Sequence, residues 1–198
     1  MEDMHSKTRY NIRLAERKGV EVKEDKDLDV FYKLYQETEQ RGDFSGHNRG
    51  YFEKMLQLDN VYQLIAYYES QPLASNILIK SGRTMTYLHG GSTREHRDVM
   101  ATYRVQWKGL QLAKDLDCSY YDFWGSAPVF EEQEIDDMSG YDKSFGKCWP
   151  KKDELSGVTR FKVRFNPGPV SYPQAKDVVF SPLSYQIYST ARQVRRFM

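Results

Sequence analysis

Nine residues from Gly157 to Phe165, GVTRFKVRF, set three cations in alternation with apolar side chains. Read at a period of two, they form a strand with Phe161, Val163 and Phe165 on one face and Arg160, Lys162 and Arg164 on the other. A row of cations on a strand face either meets water or waits for an anion, and the pattern by itself favours water. Other reactive groups are sparse. Cys118 and Cys148 have no Cys-x-x-Cys spacing and no histidine at ligand distance, so neither a zinc site nor a disulfide framework is indicated, and a reducing compartment fits best. Cys148, beside Trp149, reads as a packed thiol rather than a nucleophile because no basic partner neighbours it.

These side chains need a frame, and 198 residues are enough for one sizeable core with an extra element at an end. The 29 lysines and arginines nearly balance 28 acids, so a net charge of +1 offers no global pull on nucleic acid and any basic site must be local. No apolar run approaches the roughly 18 residues of a membrane span, and charges stand where a signal peptide has its apolar core. A soluble, cytoplasmic chain is expected.

Ser6 to Gly19 reads as a short basic helix leading into a strand at Val20 to Val22. Leu28, Phe31, Tyr32, Leu34 and Tyr35 recur at helical spacing, and so do Tyr51, Phe52, Met55 and Leu56 after the interruption RGDFSGHNRG. Three strand-like runs follow, VYQLIAYYES, QPLASNILIK and TMTYLHG, joined by tight turns as an antiparallel meander. The longest helix is expected after Gly91, with Ser92 and Glu95 as its capping box and Met100, Tyr103, Trp107, Leu110 and Ala113 as its apolar stripe. CSYYDFWGS reads as a buried strand. An acidic loop from Glu131 to Asp137 leads to final strands and a terminal helix from Pro182 to Phe197.

The order β-α-α-β-β-β-α-β-(α)-β-β-α is similar to that of the GNAT acyltransferases: an α/β (α+β) fold whose mixed, mostly antiparallel sheet is flanked by helices and splays open beside its central helix. Fold does not fix function. Acetyl-CoA-dependent members close backbone N–H groups of a Gly-rich turn on the pyrophosphate. In GGSTREHRDVMA, Gly90 and Gly91 come early, and Thr93, Arg94, Glu95 and His96 occupy the turn itself, which disfavours acetyl-CoA.

Five blocks, SKTRYNIRLAERKGVEV, ETEQRGDFSGHNRGYF, YLHGGSTREHRDVMATYRVQW, YYDFWG and GVTRFKVRF, resemble in order and spacing the second half of the Fem family (FemABX peptidyltransferases), FemX-like members included. Members join an amino acid from aminoacyl-tRNA to the stem peptide of a peptidoglycan precursor, either UDP-MurNAc-pentapeptide or its lipid-linked form. The resemblance implies a GNAT-like domain over residues 20–181, preceded by a basic linker helix (1–19) ending a missing first domain and followed by a C-terminal helix (182–198). An aminoacyl ester is already activated, so alignment and oxyanion stabilisation suffice, and no cofactor, metal or covalent intermediate is implied.

By this resemblance Phe161 and Lys162 match the aromatic-lysine pair at the family's active cleft, and the anion facing Lys162 is the tRNA 3′ terminus or the tetrahedral oxyanion. Arg160 and Arg164 share its face by alternation, without a family role. Tyr87 and His89 match a strand end where aromatics approach the muropeptide, although a half-buried strand residue is an equal reading of each. Tyr51 matches a substrate-proximal tyrosine. His47 stands where relatives often place an arginine against the nucleotide diphosphate, which leaves two readings: Arg49, two residues on, compensates, or the lipid-linked acceptor is used differently. Tyr121 is ambiguous between site and core, and Asp122 reads as a structural residue at a strand end.

Two other classes of function remain open: an isolated domain that binds tRNA or a protein without turnover, and an acyl-CoA-dependent N-acetyltransferase. On the terminal helix Leu183, Tyr185, Ile187, Tyr188 and Val194 form an apolar stripe expected to find another surface, through self-association or by folding back on its own domain. Arg192, Arg195 and Arg196 add cations there.

Overall fold

The computed structural model describes residues 1–42, 44–173 and 176–196, with side chains as far as residue 192. Asp43 and the ends of the expected terminal stripe and basic cluster, Val194, Arg195 and Arg196, therefore lie outside the described side chains. Two units are present, Met1–Gly168 and Pro169–Met198.

The expected meander forms the centre of the first unit's sheet. Strands β2 (Val61–Tyr68), β3 (Gln71–Ser81) and β4 (Thr84–Ser92) are antiparallel neighbours. β1 (Glu21–Glu24) extends the sheet on one side, and β5 (Tyr120–Asp122) joins the other, parallel to β4. Helix α4 (Ala101–Asp115) covers one face with α1 (Ser6–Arg17), sealing Ala15, Leu64, Leu78, Met85, Val105 and Leu112. Helices α2 (Leu28–Gly42) and α3 (Arg49–Leu56) cover the other, over Phe31, Tyr35, Phe52, Val61 and Ile77. Both sheet faces are thus buried, which is why β3 reads as a nearly continuous apolar run rather than an alternation.

Three expectations are corrected. Residues 157–165 do not form a strand: helix α5 spans Ser156–Val163. Its buried positions, Ser156, Thr159, Lys162 and Val163, fall at helical intervals. Val163 packs on Trp149, the Trp149 indole donates to Ser156 Oγ at 3.0 Å, and the Ala127 amide donates to Thr159 Oγ1 at 2.9 Å. These tertiary contacts override a β propensity that is weak and context-dependent. Second, Ser92 and Glu95 do not cap α4. Ser92 is still paired to Ala74 in β4 and its amide donates to Thr38 Oγ1, so the helix waits until Ala101, after a 3-10 turn and a left-handed Met100. Third, the acidic stretch is not merely a loop. β6 (Phe130–Glu131), β7 (Tyr141–Ser144) and β8 (Lys147–Pro150) make a second sheet in which Glu131 pairs with Lys147 and Glu132 with Lys143.

In the second unit, α6 (Pro182–Arg196) leaves Leu183, Tyr185, Ile187 and Tyr188 exposed. Among the described residues no helix is long and apolar enough to cross a membrane.

Candidate active site

Two features of β4 build the site. Its pairing with β5 lasts only from Thr84 to Thr86, so beyond Tyr87 that edge is open. Its register against β3 also slips, with Leu78 opposite Tyr87 and Ile77 opposite His89, so Leu88 is an extra residue. In a regular strand Tyr87 and His89 would share a face. The bulge sends Tyr87 to the α4 side, with Leu78, and His89 to the α2/α3 side, with Ile77.

On the α4 side, Lys162 reaches Tyr87. Helix α5 turns about 100° per residue, which puts Arg160 and Arg164 roughly 40° apart and Lys162 nearly opposite both. Lys162 therefore points inward, 7% exposed, while Arg160 pairs at the surface with Asp142 at 2.6 Å and Arg164 Nε donates to Ser144 Oγ at 3.2 Å. The shared cationic face expected from alternation does not exist. Lys162 Nζ donates to the Gly125 carbonyl at 2.6 Å and lies 5.6 Å from the centroid of the Tyr87 ring. It has no carboxylate within ion-pair distance among the described residues. Burial lowers its pKa to about 8, against the weaker opposing pull of Asp122. Gly125 is held by a turn in which Asp122 Oδ1 accepts from the Trp124 amide at 2.8 Å, so Asp122 shapes the strand end.

Burial pushes the Tyr87 phenol up to about 12, so it serves as a neutral donor. Its hydroxyl overlies Gly90, where an added Cβ would come within 2.1 Å of it. Gly91, facing the other way, lets the α2 backbone approach: a Cβ there would lie 2.6 Å from the Tyr35 nitrogen. The glycine pair thus serves packing on both faces. Tyr121 completes this side; its hydroxyl accepts from Gln106 Nε2 at 2.7 Å, and Gln106 Oε1 accepts from Asn76 Nδ2 at 2.9 Å. Burial, with Tyr87 adding to it, holds Tyr121 well above the ordinary tyrosine range. Phe161 packs edge-on against Tyr103 and Phe165, forming an apolar wall rather than an open contact. Sequence reasoning passed over Asn76, Gln106 and Gly125. The signal for the first two was a polar residue inside an apolar run, Asn76 in LASNILI and Gln106 among the inward positions of α4.

On the α2/α3 side, His47 stacks on Tyr51 with centroids 3.9 Å apart, and Tyr51 Oη lies 3.3 Å from His89 Nε2. Burial first, then the neighbouring His47, depresses His89 to about 4, so this imidazole is neutral at physiological pH. Arg49 is not part of the cluster. It pairs with Asp29 at 2.6 Å and lies over the Tyr32 ring. The structure thus gathers Lys162, Phe161, Tyr87 and Tyr121 on one face and His47, Tyr51 and His89 on the other, and leaves Arg49 and Arg160 in surface ion pairs.

A buried, charged lysine without a counter-ion, beside a neutral phenol at an open strand edge, suits stabilisation of a developing oxyanion. Comparison with known proteins bears on the family and the fold. The FemAB family model matches residues 1–62 and 56–193. A UDP-N-acetylmuramoylpentapeptide-lysine N(6)-alanyltransferase of Weissella viridescens is 30% identical over 138 residues, covering 67% of this chain and 40% of the relative. Among solved structures, FemX superposes with a TM-score of 0.64 at 16% identity, over 80% of this chain and 53% of FemX. An aminoglycoside acetyltransferase from an uncultured soil metagenomic sample, in complex with sisomicin, reaches 0.50 at 11% identity, over 82% and 97%. The fold is GNAT-like, and the chain spans about half, or less, of the length of its Fem relatives.

Proposed function

The chain belongs to the FemAB family, and from that premise we propose that it is the half of an aminoacyltransferase that handles the activated amino acid, adding it to the stem peptide of a peptidoglycan precursor. The donor is aminoacyl-tRNA. The acceptor is UDP-MurNAc-pentapeptide or its lipid-linked counterpart, the latter met at a membrane surface, and the cytoplasm is where both substrates are available. The similarity to an enzyme named as an alanyltransferase of a muramoylpentapeptide supports the acceptor class.

The observation that carries this reading is the uncompensated Lys162 ammonium. Removing a lone cation from water is costly unless an anion meets it, and the tetrahedral oxyanion formed when an amine attacks an aminoacyl ester is such an anion. Tyr87 donates to the same oxygen or to the leaving ribose hydroxyl, and Phe161 and Tyr121 keep the Lys162 side dry. Tyr51, His47 and His89, across the open edge of β4, receive the acceptor. As the attacking amine loses its proton, the amide forms and the tRNA hydroxyl leaves with a proton, so the reaction balances without a cofactor.

The test is transfer of a labelled amino acid from aminoacyl-tRNA to UDP-linked muropeptide, by the chain alone and with a complementary first domain in trans. Transfer that falls about a hundredfold or more in Lys162→Ala supports the assignment. Full activity of that variant, or no transfer under either condition, refutes it.

A further inference from the structure

The chemistry above makes no use of α1, whose charge stands apart from that of the chain. Its residues include four cations, Lys7, Arg9, Arg13 and Arg17, against one acid, Glu16, which gives the helix +3 in a protein whose net charge is +1. Glu16 is itself neutralised by Arg104 of α4 at 3.0 Å. The helix dipole accounts for Arg17 in the last turn. It disfavours cations near the N-terminus, where Lys7 and Arg9 stand and the first turn holds no acid. Glu2 and Asp3 precede the helix, and neither is in an ion pair among the described residues. The stability of α1 therefore does not explain where its cations sit.

Their geometry is regular. Arg9, Arg13 and Arg17 are four residues apart, so each step turns about 40° and advances about 6 Å along the axis. The three form one oblique row, away from the face that buries Thr8, Asn11, Ile12 and Ala15. Tyr10 lies beside the row, 55% exposed, with the Arg17 guanidinium 5.9 Å from its ring centroid. Arg9 uses one N–H on the Glu2 carbonyl at 2.8 Å, and Arg13 has no side-chain partner among the described residues. Most of the donors on these forks are thus free.

We propose that this row is a docking surface for the phosphodiester backbone of an RNA, the body of the aminoacyl-tRNA whose 3′ end meets Lys162. That occupant rests on the function proposed above; the charge and spacing of the row do not. A protein with almost no net charge must hold a polyanion through a local patch, and α1 supplies one. Steps of about 6 Å are on the scale of successive phosphates along a strand, and guanidinium forks take phosphate oxygens in pairs. Tyr10 adds a ring face on which a base stacks. A lipid surface fits less well, because an interfacial helix inserts its apolar side, and that of α1 is buried, Ala15 with Val105 and Ile12 with Trp107 and Leu110.

The 198-residue chain is titrated into a fluorescently labelled RNA hairpin with a single-stranded 3′ tail, and anisotropy is read at salt from about 50 to about 200 mM. The variants are Arg9→Gln/Arg13→Gln/Arg17→Gln, Arg13→Gln alone and, as a control for net charge, Lys54→Gln/Lys151→Gln/Lys152→Gln, all three of these lysines being exposed. Each arginine on a phosphate adds about 0.7 to 0.9 to the slope of log affinity against log salt. The triple arginine variant should therefore flatten the slope by about 2 to 3 and weaken binding at the lower salt more than about tenfold, Arg13→Gln should flatten it by about 1, and the control should leave it unchanged. Glutamine is nearly as good a helix former as arginine, so α1 persists, and Arg13, exposed and without a partner, tests the row without touching the packing. A slope in the triple variant equal to that of the control, or no saturable binding at the lower salt, overturns the surface and leaves the aminoacyl-transfer reading to the Lys162 test. Poly-glutamate displacing the hairpin as well as unlabelled RNA does, or phosphatidylserine vesicles losing their hold on the triple variant while RNA binding stays unchanged, overturns RNA as the occupant. RNA bound through the row with no aminoacyl transfer under either condition upholds the surface and removes the transfer reading.

Discussion

Replacing Lys162 by methionine should stabilise the fold while abolishing transfer. The folded-state pKa of Lys162 is about 8, against an ordinary 10.5. Near neutrality the native state therefore holds the ammonium at a disadvantage of about 3 kcal/mol relative to the unfolded chain. Methionine keeps an unbranched stem for the same space and removes that cost, but it leaves the Gly125 carbonyl without its donor, a loss of about 1 kcal/mol. The balance is a gain of about 2 kcal/mol at pH 7. The pH dependence carries a sign that packing effects would not reproduce. Between pH 8 and 10.5 the unfolded chain still binds the lysine proton and the native state has lost it, so wild-type stability rises with pH across that window. The advantage of Lys162→Met is thus full below pH 8 and shrinks above it. Urea unfolding of both proteins from pH 6.5 to 9.5 reads this directly. A variant destabilised by more than about 1 kcal/mol at pH 7, or a difference that ignores pH, would show that the ammonium is not desolvated in the way described.

Two further outcomes follow from the packing and titration of β4. Gly91→Ala should cost about 2 kcal/mol or more, because its Cβ would meet α2 backbone atoms at 2.6 and 2.7 Å; Gly50→Ala, whose nearest contact is at 3.6 Å inside helix α3, should be neutral or stabilising by up to about 1 kcal/mol. Denaturant midpoints measure both, and equal midpoints for Gly91→Ala and wild type would remove the close approach. His89, with its folded pKa near 4, contributes stability present above pH 6.5 and lost as pH falls toward 4, since the unfolded chain takes the proton first. Allowing for partial exposure, the loss is about 2 kcal/mol at most, and His89→Phe should flatten that part of the stability profile; an unchanged profile would place the titration elsewhere.

What the residues alone determined were features set by local chemistry and long patterns. The β2–β4 meander follows from apolar runs punctuated by Ser-Gln-Pro and Ser-Gly-Arg turns, and α2, α3 and α4 follow from stripes repeated over several turns. The five ordered blocks pointed to the Fem family because their order and spacing are far more specific than any one motif. The stretch from Gly157 to Phe165 shows where such reading stops. Nine residues are too few for a period of 2 to be told from one of 3.6 when β-branched and aromatic residues sit at both sets of positions, and contacts from outside the stretch, with nearby Trp149 and with Ala127 and Gly125 far earlier in the chain, chose the helix. That choice turned Lys162 inward and separated it from Arg160 and Arg164. The division of Tyr87 from His89 was likewise decided by a single extra residue in the pairing of β4 with β3, a register property that neither strand's own pattern contains. A cavity at the head of α4, bordered by Asn11, Arg41, Arg94 and Thr102, likewise gathers α1, α2, the segment after β4 and α4 itself, four pieces brought together by folding around one sheet.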